Sequence, residues 1–342
     1  LHRVDRRQRQ MCIRDRKKVS IIIPNYNYLK YLPQRLDSVF KQTFTDYEVI
    51  LLDDSSTDGS AEYLRERAIC HPQVTHCVLN EKNTGNPFMQ WEKGISLSKG
   101  EYIWIAESDD YCKPDFLERM VSLLDTNPDA SYAMCGSNLV DGLDKPILDD
   151  YDKWPQKSND RGAAYKYLSA SFLKHFLLWY NAAYNASMIV FRRDCLDKIQ
   201  MDFCSTRYCG DWLFWIKLTE VGNVIVLHER LNYFRRHQKS VTFISDRGEK
   251  QMDEKLLIFS YLWKHHHFGW YRDNLSRGYV YKEILRARMS ESKKKECIAQ
   301  IKRLGANRLL YSLERVVKVL SQILPFIPAP KRDYVEGVKL TR

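Results

Sequence analysis

The stretch GEYIWIAESDDYCKPDFL, residues 100–117, decides the fold. Its apolar run from Tyr102 to Ala106 predicts a buried strand, and Pro114 suits the first turn of a helix that follows. Between them stands Glu107-Ser108-Asp109-Asp110, three of whose four side chains are acidic. These acids lie at the carboxyl end of an otherwise apolar strand, which is where open α/β sheets bind their ligands.

The same alternation of strand and helix extends along the chain in both directions. Apolar, β-branched runs predict further strands at residues 19–23, 47–52, 74–79, 131–135, 187–191 and 224–227. Helical spacing of apolar residues predicts helices at residues 30–41, 60–69, 87–99 and 211–220. This order predicts an α/β fold with a Rossmann-like, mostly parallel sheet covered by helices on both faces. Beyond about residue 247 the pattern is helical only, which predicts an α-helical C-terminal extension.

The charge distribution divides the 342 residues into three parts. Residues 1–18 hold eight Lys and Arg against two Asp, and residues 247–342 hold 21 against 10 acidic residues, so the total of +11 leaves −6 for residues 19–246. We expect residues 1–18 to be a disordered, non-native or tag-like segment, with a basic targeting arm as the alternative. We expect residues 19–246 to be the catalytic domain and residues 247–342 a basic helical region. Nucleic acid is not an expected partner, because a nucleic-acid binder concentrates basic residues on its recognition domain.

Cysteine content and hydropathy bear on location. The nine cysteines include no CxxC pair, which predicts reduced thiols and a cytoplasmic protein. No apolar run approaches the roughly 18 residues of a membrane span, so no transmembrane helix is expected. The sequence NRLLYSLERVVKVLSQIL has one apolar helical face beside Arg308, Arg315 and Lys318. That face either rests on an anionic membrane, at the inner face of the plasma membrane, or packs on protein.

Polar residues follow three of the predicted strands: Pro24-Asn25-Tyr26-Asn27, Asp53-Asp54-Ser55-Ser56 and Glu107-Ser108-Asp109-Asp110. Each segment alone is compatible with a turn or a helix cap. Because the carboxyl ends of neighbouring parallel strands meet at one edge of the sheet, we expect their carboxylates to lie close together. Crowded carboxylates repel one another, and a hard divalent ion, Mn²⁺ or Mg²⁺, relieves that repulsion. Neither GxxxxGK[ST] nor GxGxxG is present, which argues against a Walker-type or dinucleotide cradle.

Five segments in order resemble the successive motifs of family 2 glycosyltransferases with the GT-A fold. They are VSIIIPNYN, QTFTDYEVILLDDSSTDGS, NTGN with GISLSKGEYIWIAESDDY, GDWLFWIKL and YFRRHQKSVT, over about residues 19–243. The resemblance implies an inverting hexosyl- or N-acetylhexosaminyltransferase that uses a nucleotide-sugar, most simply a UDP-sugar. The acceptor would be a hydroxyl of a glycan or of a lipid-linked acceptor, in cell-surface polysaccharide or lipopolysaccharide synthesis. The reaction would be a single displacement assisted by Mn²⁺ or Mg²⁺.

The resemblance also implies roles for individual residues. The donor would be bound by Pro24, Tyr26, Asp53, Asp54, Lys82, Asn83, Glu107, Ser108 and Asp109. Asp109 would bind the metal as well, with His237, which would face the metal or the diphosphate and has Arg235 and Arg236 beside it. Asp110 and Trp212 would lie on the acceptor side. Glu107 departs from the DxD motif of the family, in which the first residue is Asp.

Asp211, in CGDWLFW, matches the catalytic base of the family, which takes the proton from the acceptor hydroxyl. A helix N-cap is the alternative role, and the two are compatible. Two other functions remain open. A nucleotidyltransferase is disfavoured because PNYNYLK, after the first strand, contains no glycine. A non-catalytic sugar-nucleotide-binding or scaffold protein is disfavoured by the presence of both Asp109 and Asp211.

Overall fold

The computed structural model describes residues 17–148, 152, 162–237, 249–324 and 337–340. The expectation for residues 1–18 therefore falls almost wholly outside the described residues. Within them the chain forms one ten-stranded sheet with these strands: β1 (Val19–Asn25), β2 (Tyr47–Asp53), β3 (Val74–Leu79), β4 (Tyr102–Ile105), β5 (Tyr111–Cys112), β6 (Ala130–Asp141), β7 (Ala164–Tyr167), β8 (Ile189–Arg192), β9 (Asn223–Arg236) and β10 (Val338–Leu340).

Helices connect these strands and fill the C-terminal part of the chain. They are α1 (Leu32–Phe40), α2 (Ser60–Cys70), α3 (Pro87–Leu97), α4 (Phe116–Asp125), α5 (Ser169–Phe172), α6 (Gly210–Val221), α7 (Glu249–His265), α8 (Trp270–Arg286), α9 (Glu291–Arg303) and α10 (Arg308–Ile323). A π-helical turn, Leu173–Leu177, continues α5, and short 3₁₀ turns span Ala186–Met188, Arg193–Lys198 and Asp202–Ser205. Within the described ranges no helix is both long and apolar enough to cross a bilayer.

The sheet order is β10-β7-β9-β6-β8-β4-β1-β2-β3, with β5 paired to β9. The predicted parallel arrangement holds for β3, β2, β1 and β4, so the carboxyl ends of β1, β2 and β4 meet at one edge. Antiparallel β8 then lies between β4 and β6. Beyond it the sheet is mixed, with β9 parallel to β6 and antiparallel to β7. The α/β class is confirmed, and the second half of the sheet is more mixed than the strand pattern predicts.

Burial explains why the predicted strands are apolar throughout. Every residue of β1, β2 and β4 is buried, because helices cover both faces of the parallel half. Helix α6 is likewise apolar around its circumference and lies in the core. Its first residue, Gly210, packs so closely that a Cβ there would lie 2.6 Å from the carbonyl oxygen of Phe203. Glycine therefore allows the chain to begin a helix inside the core, next to Asp211.

The C-terminal helices pack on one another and on the sheet-bearing part. A Cβ at Gly278 of α8 would lie 2.2 Å from the carbonyl oxygen of Leu310, so α8 and α10 approach closely there. Lys282 and Glu314 form a buried ion pair between these two helices. The prediction that only helices follow residue 247 is wrong at one point, because β10 pairs antiparallel with β7. A three-residue strand is too short to show a strand period in the sequence.

Candidate active site

A cavity of about 540 Å³ lies at the carboxyl ends of β1, β2 and β4, within the size range typical of small-molecule sites. Its lining includes eight residues singled out from the sequence: Pro24, Tyr26, Asp54, Asn83, Glu107, Asp109, Asp110 and Asp211. The structure thus brings together residues from five separate segments of the chain. Five other predicted residues lie outside this lining: Asp53, Lys82, Ser108, Trp212 and His237.

Two adjacent aspartates after β2 have different surroundings. The Asp53 carboxylate is buried and accepts hydrogen bonds from Asn25 Nδ2 (2.7 Å), Ser56 Oγ (2.6 Å) and the Ser56 amide (2.8 Å). It therefore shapes the turn and does not border the cavity. Asp54 does border it, and its carboxylate accepts hydrogen bonds from Asn80, Thr84 and Gln90. The predicted donor contact thus fits Asp54, with Asp53 supporting the loop.

The loops after β1 and β2 are cross-linked. The Asn27 amide donates to Ser56 Oγ (2.8 Å), and Asn27 Oδ1 accepts from the Thr57 amide (2.8 Å). Asn27 has a left-handed backbone, with φ of 58°, which asparagine tolerates better than most residues. Tyr26, beside it, is 46% exposed and lines the cavity. The paired loops therefore present an aromatic ring that is available for stacking.

The four polar residues after β4 point in different directions. Ser108 Oγ is buried and donates to the carbonyl oxygen of Pro24 (2.6 Å), which fastens the loop to β1. Glu107 Oε1 accepts a hydrogen bond from Trp91 Nε1 (2.8 Å). Asp110 is buried and accepts from Asn185 Nδ2 (2.8 Å) and from the Arg235 amide (3.0 Å). Ser108 is consequently a structural link to β1, with its hydroxyl turned away from the cavity.

Asp109 combines a place in the cavity wall with a histidine partner. Its Oδ2 lies 3.1 Å from His237 Nε2, and the His237 ring contacts the rings of Tyr28 and Tyr31. A carboxylate oxygen suits Mg²⁺ and Mn²⁺, and imidazole nitrogen is a common metal ligand. This pair therefore fits the predicted divalent ion. Across the described ranges no cluster of three or more His, Cys, Asp or Glu side chains forms a metal site from protein ligands alone.

Crowding of carboxylates perturbs their ionisation. Burial, followed by the nearby Asp109 charge, raises the pKa of Glu107 to about 8. The same two causes raise the pKa of Asp110 to about 6, opposed by the Arg35 guanidinium. The loop is therefore a place where added positive charge is favourable, as the sequence predicts.

Arg235 is a sequence neighbour of His237, and its side chain is buried behind the acidic loop. Its guanidinium donates to the carbonyl oxygen of Asp109 (2.7 Å) and to Gln34 Oε1 (2.6 Å), and pairs with Asp144 (2.7 Å). Arg235 therefore supports the loop, and its charge is already committed to internal partners.

Asp211 lies in the first turn of α6, which begins at Gly210, so the alternative N-cap role is wrong. Its Oδ2 accepts a hydrogen bond from Asn181 Nδ2 (2.7 Å). Burial raises the pKa of Asp211 to about 7. The Trp212 amide and Asn181 oppose this rise by hydrogen bonding, and the Glu254 charge adds to it. A carboxylate with this pKa is suited to accepting a proton near neutral pH.

Glu254, on α7, is a site residue that the sequence did not reveal. Its carboxylate accepts hydrogen bonds from three successive amides, those of Arg207 (2.8 Å), Tyr208 (2.7 Å) and Cys209 (2.8 Å). Arg207 and Tyr208 line the cavity and precede the Asp211 motif, so proximity to that motif could have indicated them. No local signal marks Glu254, which lies on a later helix. Other lining residues not anticipated are Asn86, Gln90, Trp91, Tyr184, Asn185 and Phe234.

The sequence model of Glycosyl transferase family 2 matches residues 20–199, more than half of the chain. This chain belongs to glycosyltransferase family 2. The match spans the strands that carry Pro24, Asp54 and Asp109. Asp211 and His237 lie beyond its limit.

Curated relatives match part of this chain. An uncharacterized glycosyltransferase of Nostoc sp. is 29% identical over 64% of this chain and 65% of its own. Chondroitin synthase of Escherichia coli is 28% identical over 60% of this chain and 27% of its own. A putative teichuronic acid biosynthesis glycosyltransferase of Bacillus subtilis, TuaG, is 32% identical over 38% of this chain and 52% of its own. The chain spans less than two thirds of the length of these relatives.

Solved structures of other glycosyltransferases share the fold of this family 2 member. S. aureus TarS (residues 1–349) in complex with UDP superposes with a TM-score of 0.51 at 20% identity, covering 89% of this chain and 77% of that one. The mannosyltransferase PcManGT of Pyrobaculum calidifontis, in complex with GDP-Man and Mn²⁺, gives 0.55 at 15% identity, with coverage of 91% and 82%. The predicted GT-A fold is confirmed.

Proposed function

We propose that this family 2 protein is an inverting glycosyltransferase of cell-surface polysaccharide synthesis, of the hexosyl or N-acetylhexosaminyl type. It moves a sugar from a nucleotide-sugar to a hydroxyl of a glycan or lipid-linked acceptor. The observation that carries the proposal is that Asp109 and Asp211, from distant segments, line one cavity at the strand ends. Residues 19–246 form the catalytic domain, and residues 247–342 a basic helical region that contributes to the site through Glu254.

The donor nucleotide lies against the loops after β1 and β2. Pro24 and Tyr26 contact the base, and Asp54 and Asn83 hold the ribose side. All four line the same cavity, and they come from the carboxyl ends of β1, β2 and β3. Asp53 and Ser108 position these loops. A UDP-sugar is the first donor to test, since the fold is shared with a protein solved with UDP and with UDP-GlcNAc. Exposed Lys82 lies near this region and reaches the donor only if its side chain bends inward.

Asp109 and His237 would hold Mn²⁺ or Mg²⁺ beside the donor diphosphate. When bound, such an ion neutralises the charge that develops on the leaving nucleoside diphosphate. The two side chains supply one oxygen and one nitrogen at 3.1 Å from each other. Asp110 and Arg235 hold the loop that presents Asp109. The PcManGT structure, solved with Mn²⁺, supports this choice of ion.

Asp211 acts as the general base. Its carboxylate takes the proton of the acceptor hydroxyl as that oxygen attacks the anomeric carbon on the face opposite the leaving group. Asn181 fixes the carboxylate through its 2.7 Å hydrogen bond, so that one oxygen remains for the acceptor. Single displacement of this kind inverts the anomeric configuration.

The test is nucleoside diphosphate release from a panel of UDP-, GDP- and dTDP-sugars with Mn²⁺. Asp211→Asn should lower the rate by roughly 10²–10⁴-fold, the usual contribution of a general base, with nucleotide affinity kept. Asp109→Ala should weaken the Mn²⁺-dependent part of nucleotide binding. Asp37→Asn, at a position 68% exposed on α1, is the matched control and should change neither. Turnover of no donor, together with unchanged nucleotide binding in Asp109→Ala, would contradict the proposal.

Helix α10 suggests where the enzyme works. Its inner face packs on α8 through Glu314 and Val317, so only part of the predicted apolar face is available. Its outer face, defined by Leu309, Val316, Val319 and Ile323, is more than half exposed at each position. Arg308, Arg315 and Lys318 flank it. An apolar strip bordered by cations fits an anionic membrane surface, so we place the enzyme at the cytoplasmic face of the plasma membrane.

Flotation with phosphatidylglycerol vesicles tests this placement. Wild type should float with anionic vesicles and less so with neutral phosphatidylcholine vesicles, because cations contribute about 1 kcal/mol each near an anionic surface. Val316→Glu should reduce flotation several-fold. Leu257→Glu on α7 is the matched control, since Leu257 is 57% exposed and Val316 is 54% exposed. Absence of wild-type flotation, or equal loss in both variants, would exclude the membrane role of α10.

A further inference from the structure

A second cavity, of about 270 Å³, adjoins the first at Asp211. The segment that follows the π-helical turn and the start of α6 form one wall, and α7 and α8 of the C-terminal region form the other. We propose that this second cavity is the acceptor site and that it takes one terminal sugar ring of a glycan. The inference rests on the proposed function, since it assigns the substrate that Asp211 deprotonates.

The position of Asp211 is the first argument. Asp211 lines both cavities, as do Tyr184 and Tyr208. In a single displacement the base must lie beside the acceptor hydroxyl, while the nucleoside diphosphate leaves from the opposite face of the donor's anomeric carbon. The larger cavity contains the predicted donor residues Tyr26, Asp54 and Asp109. The second cavity is therefore the space next to the base that the donor does not use.

The chemistry of the walls is the second argument. Tyr180, Tyr184 and Tyr208 line the cavity with half-buried aromatic rings, which suit the C–H face of a sugar ring. Gln251, Lys255 and Glu283 bring an amide, an ammonium and a carboxylate from the helical side. Hydroxyl groups accept and donate hydrogen bonds, so they pair with all three kinds of group. Charges of both signs fit an uncharged or weakly charged sugar better than a polyanion or an acyl chain.

An unsatisfied polar atom is the third argument. Asn181 Oδ1 is buried and has no hydrogen-bond partner among the residues that the structure describes, although its Nδ2 binds Asp211. A buried acceptor atom without a partner is costly, and a ligand hydroxyl would satisfy it. Asn181 lines the second cavity. It can thus hold the base with one atom and the acceptor with the other.

The size and rigidity of the cavity limit what enters. Its volume lies below the range of about 300–1,000 Å³ that is typical of drug-sized ligands, so it accommodates one ring and leaves the rest of the glycan outside. Trp179 contacts Tyr279 and Trp212 contacts Phe259, with ring centroids 5.9 and 5.4 Å apart. These contacts join the two walls. The acceptor site is accordingly present before substrate binds.

Ligand-detected saturation-transfer NMR tests the assignment without turnover. The probes are methyl glycosides of glucose, galactose, N-acetylglucosamine, N-acetylgalactosamine and glucuronic acid, each with UDP present. At least one should receive saturation from wild type. Glu283→Ala should raise the dissociation constant of that glycoside about tenfold, because one hydrogen bond to a charged group is lost. Gln251→Trp, which fills the cavity, should abolish binding.

Glu291→Ala on α9, where Glu291 is 79% exposed, is the matched control and should bind the glycoside like wild type. UDP affinity should be equal in all four proteins, which shows that the variants fold and keep the donor site. Binding of no glycoside, or equal binding by wild type and Gln251→Trp, overturns the acceptor assignment. Glycoside binding without donor turnover would instead contradict the proposed function alone. Donor turnover with glycoside binding that Gln251→Trp does not change would contradict this inference alone.

Discussion

Neighbouring acidic residues in the two loops of the first cavity take different roles. Asp53 is buried, accepts a hydrogen bond from Asn25 and lies outside the cavity lining. Asp54, Asp109 and Asp110 border the cavity, and Asp110 also accepts a hydrogen bond from Asn185. The sequence indicates four acids but not this division, because the partner asparagines come from other segments. A turn-building aspartate and a cavity-lining one look identical in a sequence, and only the folded structure shows which of them borders the cavity.

Asn181 should set the pH dependence of the reaction. Asp211 must be deprotonated to act as a base, so kcat/KM should rise with pH through its pKa of about 7. The hydrogen bond from Asn181 favours the charged form of Asp211. Asn181→Ala removes this hydrogen bond, so burial raises the pKa of Asp211 further. We expect the acid limb to move upward by about one unit, equivalent to about 1.4 kcal/mol.

The measurement is the pH profile of kcat/KM for nucleoside diphosphate release. Asn274→Ala on α8 is the control, since the Asn274 side chain donates to the Trp270 carbonyl oxygen of its own helix. If the acid limb of the Asn181→Ala profile stays in place or moves to lower pH, Asn181 does not lower the pKa of Asp211.

Helix α7 reaches the site through one carboxylate. Glu254 accepts hydrogen bonds from three successive amides of the segment that precedes α6, and that segment leads directly to Asp211. An element outside the predicted catalytic domain therefore shapes the catalytic loop. The same glutamate raises the pKa of Asp211 through its charge.

Two substitutions separate these effects of Glu254. Glu254→Ala leaves the amides of Arg207, Tyr208 and Cys209 without their acceptor, at about 1–3 kcal/mol for an unsatisfied group. It should lower both the melting temperature and kcat, the latter about tenfold. Glu254→Gln keeps an acceptor oxygen but removes the charge, so it should keep most of the stability and shift the acid limb of the pH profile downward.

Differential scanning fluorimetry and the pH–rate profile provide the two readouts. Glu62→Ala, at an exposed position on α2, is the control for loss of a surface glutamate. If Glu254→Gln were as damaging as Glu254→Ala, loop geometry would not depend on the acceptor oxygen alone. If both behaved like the control, the positioning role would be wrong.

Elements differ in how well the sequence predicts them. β1, β2, β4 and α6 were predicted because each is a long apolar run buried on all sides. β6 and β9 were predicted only at residues 131–135 and 224–227, yet they run over Ala130–Asp141 and Asn223–Arg236. Their second halves are polar because they carry groups such as Arg235 to the site. Asp54, Asp109 and Asp211 follow from the family motifs, whereas Asn181 and Glu254 act through distant contacts and carry no motif.

At the scale of the molecule, close contacts hold the helical region together and join it to the sheet-bearing part. Lys282 and Glu314 are both buried and pair with each other between α8 and α10. Gly278 permits the close approach of these helices. Aromatic pairs such as Trp212 with Phe259 then connect α7 to α6. The second cavity lies between these parts, so its shape depends on their docking.

Breaking the buried ion pair should test how much it stabilises the helical region. Glu314→Ala leaves the Lys282 ammonium buried without its partner, which typically costs about 3–5 kcal/mol. The free energy of unfolding in urea, followed by circular dichroism, should fall by that order. Glu291→Ala removes an exposed pair with Lys294 and should cost at most about 1 kcal/mol. Equal stability of the two variants would show that the α8–α10 pair contributes little.

Strand β10 covers an edge of the sheet. After the helical region the chain returns to the sheet and covers β7, the strand next in order, through antiparallel pairing at Lys166, Tyr165 and Ala164. A version cut after α10 would leave the amides and carbonyls of β7 bare, and a bare strand edge recruits other chains. Deletion would then report aggregation in addition to the lost helices. Point substitutions, or an internal excision that keeps β10, avoid this exposed edge in tests of the C-terminal region.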